Sequence, residues 1–392
     1  MQRARCARAG VVKSDSRRPH ALPHAGKIVA CWLPLVASRA DQPAAAACHI
    51  DQIPPFVEAE LSRLYGHLYS SLAFMQLFRP REQVSTYVDR EGGRNTAVLI
   101  FQKQRRRIVV FNEYVSLDQV ALGRFANHVF RLFPSIDVIV LRHLDTDLHV
   151  LPYPFQRHNC VEDYVLQLPA SIERYTALLG KSTRRNIKRY STRLMEDHPS
   201  FALQFQTGAG IDDDHVRALL RMSEEKMIGK GKRFSVDTVF AEGLVVLARK
   251  CGFVAIATID GRLCAGLVCF RNGSHFVAKV ISHDSAYDDY WLGTLCYYRT
   301  ICEAIARGGT VFNLGIQRYE YKTRLLAVRR DLDHVAIYRS RWKQVWCARD
   351  VLGMTSAGIV RRAKLHLLAR ENSRLTRTVT AIVSRLRILR SG

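Results

Sequence analysis

Three β-prone apolar runs joined by two tight-turn pairs constrain this chain most. Residues 253–259, 263–270 and 275–282 are separated by Asp260-Gly261 and Asn272-Gly273. Asp-Gly and Asn-Gly pairs tolerate positive φ, which the hairpin turns matching strand twist require. The segment therefore predicts a three-strand antiparallel meander. A helix is expected next over 293–307, stopped by Gly308-Gly309, followed by strands at 310–314 and 334–339. Gly is the residue that closes a helix in the left-handed conformation. Strands and helices in this order place the chain in the mixed α/β class.

Upstream, apolar residues recur at helical spacing over 58–77, through Leu61, Leu64, Leu68, Leu72 and Met75. Runs 95–102 and 107–111 flank the charged turn 103–106 and predict a hairpin. A helix over 117–133, with Val120, Phe125, Val129, Phe130 and Phe133 on one stripe, leads to a buried strand at 137–141. Helices are expected at 170–179, 184–196, 213–227 and 236–250. Two α/β units of related order imply a duplication. The expected division is an N-terminal lobe over 51–162 and a C-terminal lobe over 163–341. A disordered extension over 1–50 precedes them, and a basic helical tail over 342–392 follows.

Composition narrows the function classes. Hydrophobic residues make up 48% of the 392 residues, enough for a core and too many for a disordered chain. No run approaches the ~18 apolar residues of a spanning helix. The formal net charge is +24, and residues 1–50 and 341–392 together hold 16 of those charges. Such a balance favours an anionic partner: a nucleic acid, a phosphorylated substrate or an acidic membrane. In the tail, Val379, Ile382, Val383, Leu386 and Leu389 line one face among arginines, a pattern that suits an anionic membrane surface or packing on the body. Ten cysteines include no C-x-x-C pair, so reduced core thiols, a cytoplasmic setting and no metal are expected.

Three segments carry chemistry. The helix opening at Gly293-Thr294 follows a strand, and a helix start with free N–H groups can hold a phosphate. The strand at 312–322 ends in Asn313, Glu320, Tyr321 and Lys322, at the end of a strand where ligands of α/β sheets sit. A tyrosine there can act as an acid and a carboxylate as a base toward an amine. Helix 181–193 turns Ile187, Tyr190 and Leu194 inward and Arg184, Arg185, Lys188 and Arg189 outward. That outer face is either an anion-binding surface or a solvated one.

The segments LLGKSTRRNIKRYSTRL (178–194), TIDGRLCAGLVCF (258–270), YDDYWLGTLCYYRTICEAIARGG (287–309) and FNLGIQRYEYK (312–322) occur in an informative order. Together they resemble the GNAT-like acetyltransferase domain of cellulose-biosynthesis (CelD-type) proteins, a relative of the FemAB aminoacyl transferases. The resemblance spans residues 163–341. It implies tandem GNAT-like lobes with mixed, mainly antiparallel sheets. It also implies acetyl-CoA or another acyl-CoA as donor and an amine, saccharide-linked, as acceptor in envelope or exopolysaccharide synthesis. The donor would then rest on Gly293, Thr294 and Asn313, with its carbonyl on an N–H near Val280. Glu320, Asp284 or a water would take the acceptor's proton. Tyr321 would protonate the leaving thiolate, and Lys322, Arg184, Arg185 and Lys188 would bind anionic groups. Two departures stand out. The glycine motif Q/R-x-x-G-x-G/A is missing, and Asn313 occupies the place of an expected Asp. These leave open an aminoacyl-tRNA-dependent transferase and a non-catalytic anion-binding protein on the same fold.

Overall fold

The Asp260-Gly261 and Asn272-Gly273 pairs do turn the chain. Asp260, Gly261 and Gly273 all have positive φ in the computed structural model, which describes residues 45–80, 82–229 and 237–369. The first half runs β1 (Ala45–His49), α1 (Val57–Leu64), α2 (Leu72–Phe78), β2 (Val84–Glu91), β3 (Arg94–Gln104), β4 (Arg107–Val110), α3 (Gln119–Leu132) and β5 (Val138–Leu144). The second runs β6 (Phe155–Gln167), α4 (Ile172–Leu178), α5 (Lys181–Asp197), β7 (Ala202–Thr207), α6 (Asp213–Gly229), α7 (Thr238–Cys251), β8 (Gly252–Ile259), β9 (Arg262–Asn272) and β10 (His275–His283). It continues through α8 (Leu292–Ala306), β11 (Val311–Ile316), α9 (Glu320–Arg324), β12 (Val328–Tyr338), α10 (Arg341–Trp346) and α11 (Ala348–Ala369).

The twelve strands of the described residues join one mixed sheet in the order β1-β2-β3-β4-β5-β12-β6-β11-β10-β9-β8-β7. Only β4–β5 and β10–β11 are parallel. Each parallel pair closes a strand–helix–strand unit, β4–α3–β5 and β10–α8–β11, after an antiparallel meander. The repeated order read from the sequence is therefore present in space. β12 and β6 bridge the two units: β12 pairs with β5 and β6, and β6 pairs with β11. The expected division at 162/163 falls inside β6.

Helices cover both faces. Tyr175, Ile187, Leu295 and Ile301 pack on Phe253, Phe276 and Phe312 from one side. Val216, Leu219 and Leu244 pack on Val254, Phe270 and Val277 from the other. Fully burying each large apolar side chain contributes ~1.5–3 kcal/mol. The cysteines of the described residues are free thiols, with Cys264, Cys269 and Cys296 buried.

Several expectations are corrected. The single helix over 58–77 is broken into α1, a 3-10 turn Leu68–Ser70 and α2. Gly66 adopts φ +60°, and a Cβ there would lie 2.5 Å from the His275 ring, so the chain turns where only glycine fits. Residues 45–49, expected within the N-terminal extension, instead form the edge strand β1 paired with β2, and residues 1–44 of that extension lie outside the described residues. Strands β2, β6 and β7 were not anticipated. β6 is largely polar, and its pairing with β11 and β12 on either side holds it in the sheet. No helix among the described residues is long and apolar enough to cross a membrane. The tail stripe at 379–389 lies outside the described residues.

Candidate active site

The site begins where two parallel strands separate. β10 and β11 pair only through His275–Val311, Phe276–Phe312 and Val277–Asn313. Beyond that point β10 shifts register against β9 between Ala278 and Val280. β11 shifts against β6 between Asn313 and Ile316, with Gly315 at φ +76°. The carboxyl ends of the two strands thus form a fork, the place where sheets of this kind receive ligands. Val280 lies on the β10 arm just past the bulge, with its side chain buried in the core.

The fork opens toward the start of α8. Trp291 is its N-cap, in the left-handed region at φ +58°, and no side chain caps the helix. The Trp291 carbonyl accepts from Thr294 N and Leu295 N, so Thr294 already lies within the first turn of the helix. The first-turn N–H groups of Leu292 and Gly293 precede those bonds and remain without a side-chain cap, the arrangement that receives anionic oxygen. A Cβ on Gly293 would sit 3.0 Å from His283 Nδ1, so the backbone here runs close against that imidazole. The Lys226 ammonium lies 2.9 Å from His283 Nε2, and Asp288 Oδ1 lies 2.8 Å from the same nitrogen. Lys226 and His283 are basic groups beside the helix start that the sequence reading missed, since 57 residues separate them.

Asp284 does not point to base chemistry. Its carboxylate accepts from Ala286 N (2.9 Å) and caps the 3-10 turn Ser285–Tyr290, exposed to solvent. Glu320 is 76% exposed and paired with Arg324 (2.6 Å). The Arg324 guanidinium in turn lies over the Trp291 ring (5.8 Å), so α9 and the α8 start are neighbours.

Tyr321 is half-buried, with its ring 5.2 Å from that of Tyr297. Tyr297 lies one helical turn beyond Gly293, so its ring brings Tyr321 close to the start of α8. Burial pushes the Tyr321 phenol up to about 12, so it stays protonated at neutral pH. A protonated phenol beside the helix start is a competent acid.

Lys322 corrects an expectation. It is 2% exposed, and its ammonium donates to Gly315 O and Ile316 O, both at 2.7 Å. The Tyr164 and Tyr319 rings lie at 5.3 and 5.8 Å. It ties α9 to the twisted end of β11 and is not presented to an external anion. Burial pulls it down to about 8. Arg184 is likewise engaged, donating to the carbonyls of Ala177 and Leu179 at the end of α4. Arg185, Lys188 and Arg189 are exposed on α5, and Arg189 lies over the Tyr190 ring. Tyr190 reaches Trp291, with ring centroids 5.4 Å apart, so the basic helix borders the same entrance.

Asn313 sits at the vertex of the fork, buried. Its Oδ1 accepts from Gly315 N (2.7 Å), which fixes the amide orientation. Its Nδ2 donates to Asp163 Oδ2 (2.7 Å) and faces His67 Nε2 (3.3 Å). Arg330 bonds the same Asp163 oxygen at 3.0 Å. A carboxylate thus adjoins Asn313 from β6, the neighbouring strand in the sheet. His67, Asp163 and Arg330 come from three separate parts of the chain, and no local pattern announces them.

Residues 181–323 match the model of an acetyltransferase (GNAT) domain, inside the 163–341 span of the resemblance. The match does not single out the CelD type. No curated protein matches the chain. Among solved structures, similar folds include FemX (8% identity, 64% of this chain and 87% of that one, TM-score 0.48). L-PGS from Bacillus licheniformis shows 13% identity over 74% of this chain and 93% of its own, with TM-score 0.47. A tandem GNAT protein from the clavulanic acid biosynthesis pathway shows 13% identity over 75% and 98%, with TM-score 0.40.

Proposed function

We propose that this chain is an acyltransferase that moves an acyl group, an acetyl in the simplest case, from acyl-CoA to an amine. The observation that carries the reading is the fork between β10 and β11, opening on a helix start without a side-chain cap. The GNAT-domain match over 181–323 supports it. Of the two units β4–α3–β5 and β10–α8–β11, the second, inside the expected lobe 163–341, holds the fork.

In this reading the donor's pyrophosphate lies at Leu292 and Gly293, with Lys226 and His283 beside it. Its thioester enters the fork, where a backbone N–H near Val280 polarises the carbonyl. The neutral amine attacks that carbon: a C–N bond forms and the C–S bond breaks. Tyr321 gives its proton to the leaving sulfur, and the nitrogen's surplus proton passes to water, which returns one to Tyr321. Glu320 and Asp284 are held by Arg324 and Ala286 and leave that role to solvent. Holding both substrates in line supplies much of the rate. The acceptor is a saccharide-linked amine of envelope or exopolysaccharide synthesis, a choice that rests on the sequence resemblance.

Thermal-shift titration with acetyl-CoA, longer acyl-CoAs, free CoA and bulk tRNA tests the donor. Acyl-CoA at a hundredfold its dissociation constant should add about 2.7 kcal/mol of stability. A shift with tRNA alone would favour the aminoacyl-tRNA reading. The exposed Arg185, Lys188 and Arg189 support that second reading, and its affinity should then fall steeply with salt. Silence from every ligand would leave a non-catalytic protein. Including vesicles of anionic lipid tests a peripheral membrane contact, for which α10 exposes Trp342, Val345 and Trp346 beside Arg341.

Tyr321→Phe is expected to lower kcat on the order of 100-fold while leaving acyl-CoA affinity within about twofold. Unchanged turnover would remove the acid role.

A further inference from the structure

One face of α11 has no partner among the described residues. Its inner face packs on the sheet: Val351 and Met354 lie against Val138, Ala336 and Tyr338, and Arg361 Nε donates to Asn159 Oδ1 (3.0 Å). A Cβ on Gly358 would sit 3.0 Å from His158 Cβ, so the helix runs close against β6. The opposite face is largely apolar and lies in solvent. Leu352, Ile359 and Val360 are 67%, 55% and 61% exposed, and Ser356 and Ala363 are exposed on the same side. Positions 352, 356, 359, 360 and 363 recur at three- and four-residue spacing, the stripe a helix presents to a packed neighbour. A contiguous apolar stripe left in water marks an interaction surface.

The sequence that follows α11 carries a matching stripe. Val379, Ile382, Val383 and Leu386 stand as far after residue 371 as Ala363, Val360, Ile359 and Ser356 stand before it. By the same count Leu389 falls opposite Gly353, beside Leu352. Antiparallel helices joined by a connection of about 2–5 residues pair positions equidistant from that connection. At the mirror point the chain reads Arg370-Glu371-Asn372-Ser373, with an Asn suited to ending one helix and a Ser suited to capping the next. The lengths agree as well. A helix over 374–390 spans about 25 Å, and α11 from Leu352 to Ala369 spans about 27 Å. Charge does not oppose the pairing. Arg377, Arg385 and Arg387 fall opposite Leu365, Ala357 and Thr355, while Arg361 and Arg362 fall opposite Ala381 and Thr380.

We propose that the outer face of α11 is the docking surface for residues 374–390 of the same chain, laid on it as an antiparallel helix. Leu386 then meets Ser356, Val383 and Ile382 meet Ile359 and Val360, and Val379 meets Ala363. The tether favours this occupant over a second copy or a lipid surface. A segment joined to α11 by so short a connection is held at an effective concentration on the order of millimolar. The mirrored register is a second reason, because neither a membrane nor another molecule would require stripes equidistant from one turn. The docking is independent of the acyltransferase reading, since the pairing uses no residue of the fork.

Disulfide trapping in the full chain tests the register. Ser356→Cys combined with Leu386→Cys should oxidise to a bridge within one chain, identified by peptide mass. Ser356→Cys combined with Val379→Cys offsets the partner by two helical turns, about 10 Å, beyond the reach of a disulfide. That pair should close at least about tenfold more slowly. Equal rates for the two pairs would overturn the proposal. A 356–386 bridge formed between two chains, seen as a covalent dimer, would assign the face to a second copy and overturn it as well. Hydrogen exchange is the independent measurement. Amides of 379–389 should exchange at least about tenfold more slowly than those of a free peptide of the same sequence. Ile359→Lys alters a solvent-exposed position and leaves the inner face of α11 intact, and it should remove that protection. Protection that survives Ile359→Lys unchanged, or that appears only when phosphatidylglycerol vesicles are added, would overturn the docking.

Discussion

Acidification from pH 7 to pH 4 is expected to remove several kcal/mol of folding stability, through His67 and His334. His67 is buried, and burial first, then the charges of Arg330, His275 and His143, holds its imidazole well below 6.5. Burial pulls His334 down to about 4, with Arg142 and neighbouring histidines adding to the effect. The sign follows from proton binding. Below pH 6.5 the unfolded chain takes up protons that the folded chain refuses, so stability falls as pH falls. Each such histidine contributes a slope of ~1.4 kcal/mol per pH unit, down to its folded value. For His334 the loss between pH 6.5 and 4 is on the order of 3 kcal/mol. Urea unfolding at pH 7, 6, 5 and 4 measures this, with His334→Gln expected to flatten the profile. Stability that stays level across that range would show that both rings protonate freely in the native state.

Lys322→Met is expected to cost roughly 3–5 kcal/mol. The substitution removes two hydrogen bonds from a charged donor, ~1.5–3 kcal/mol each, and strands the carbonyls of Gly315 and Ile316. Relief of a buried ammonium offsets part of this. Because these carbonyls belong to the β11 arm of the fork, acyl-CoA binding should weaken along with stability. An external anion site at Lys322 would give the opposite pattern: ligand affinity lost with stability preserved. The lysine's folded value of about 8 lies below its ordinary 10.5. Between those two values the unfolded chain holds a proton the folded chain has released, so stability rises with pH across that window. The methionine variant should lose that rise, and denaturant melts at pH 8 and 10 read it directly.

The sequence by itself determined the elements whose cause is local. The meander followed from Asp260-Gly261 and Asn272-Gly273, because few residue pairs accept the φ values those turns need. The outward set of α5 and the helix after the meander followed from 3.6-residue periodicity. The exposed Arg185 and Lys188 and the buried Cys264, Cys269 and Cys296 agree with that reading. Tertiary structure alone decided the rest. β6 has polar residues where an isolated strand would show alternation, and only its position between β12 and β11 makes it a strand. Gly66 breaks a helically spaced run because the His275 ring, more than 200 positions away, occupies the space a side chain would need. Lys322 reads as a surface cation until α9 folds back and buries it on two carbonyls. Asp163, Asn313 and Arg330 meet through pairing of β6 with β11 and β12, His67 reaches them from the turn after α1, and contacts at such separation leave no trace in local spacing. Periodicity and turn chemistry report what a residue's neighbours along the chain require. Burial, ion pairing and pKa depend on neighbours in space, which around this site are set by the way β12 and β6 bridge the two units.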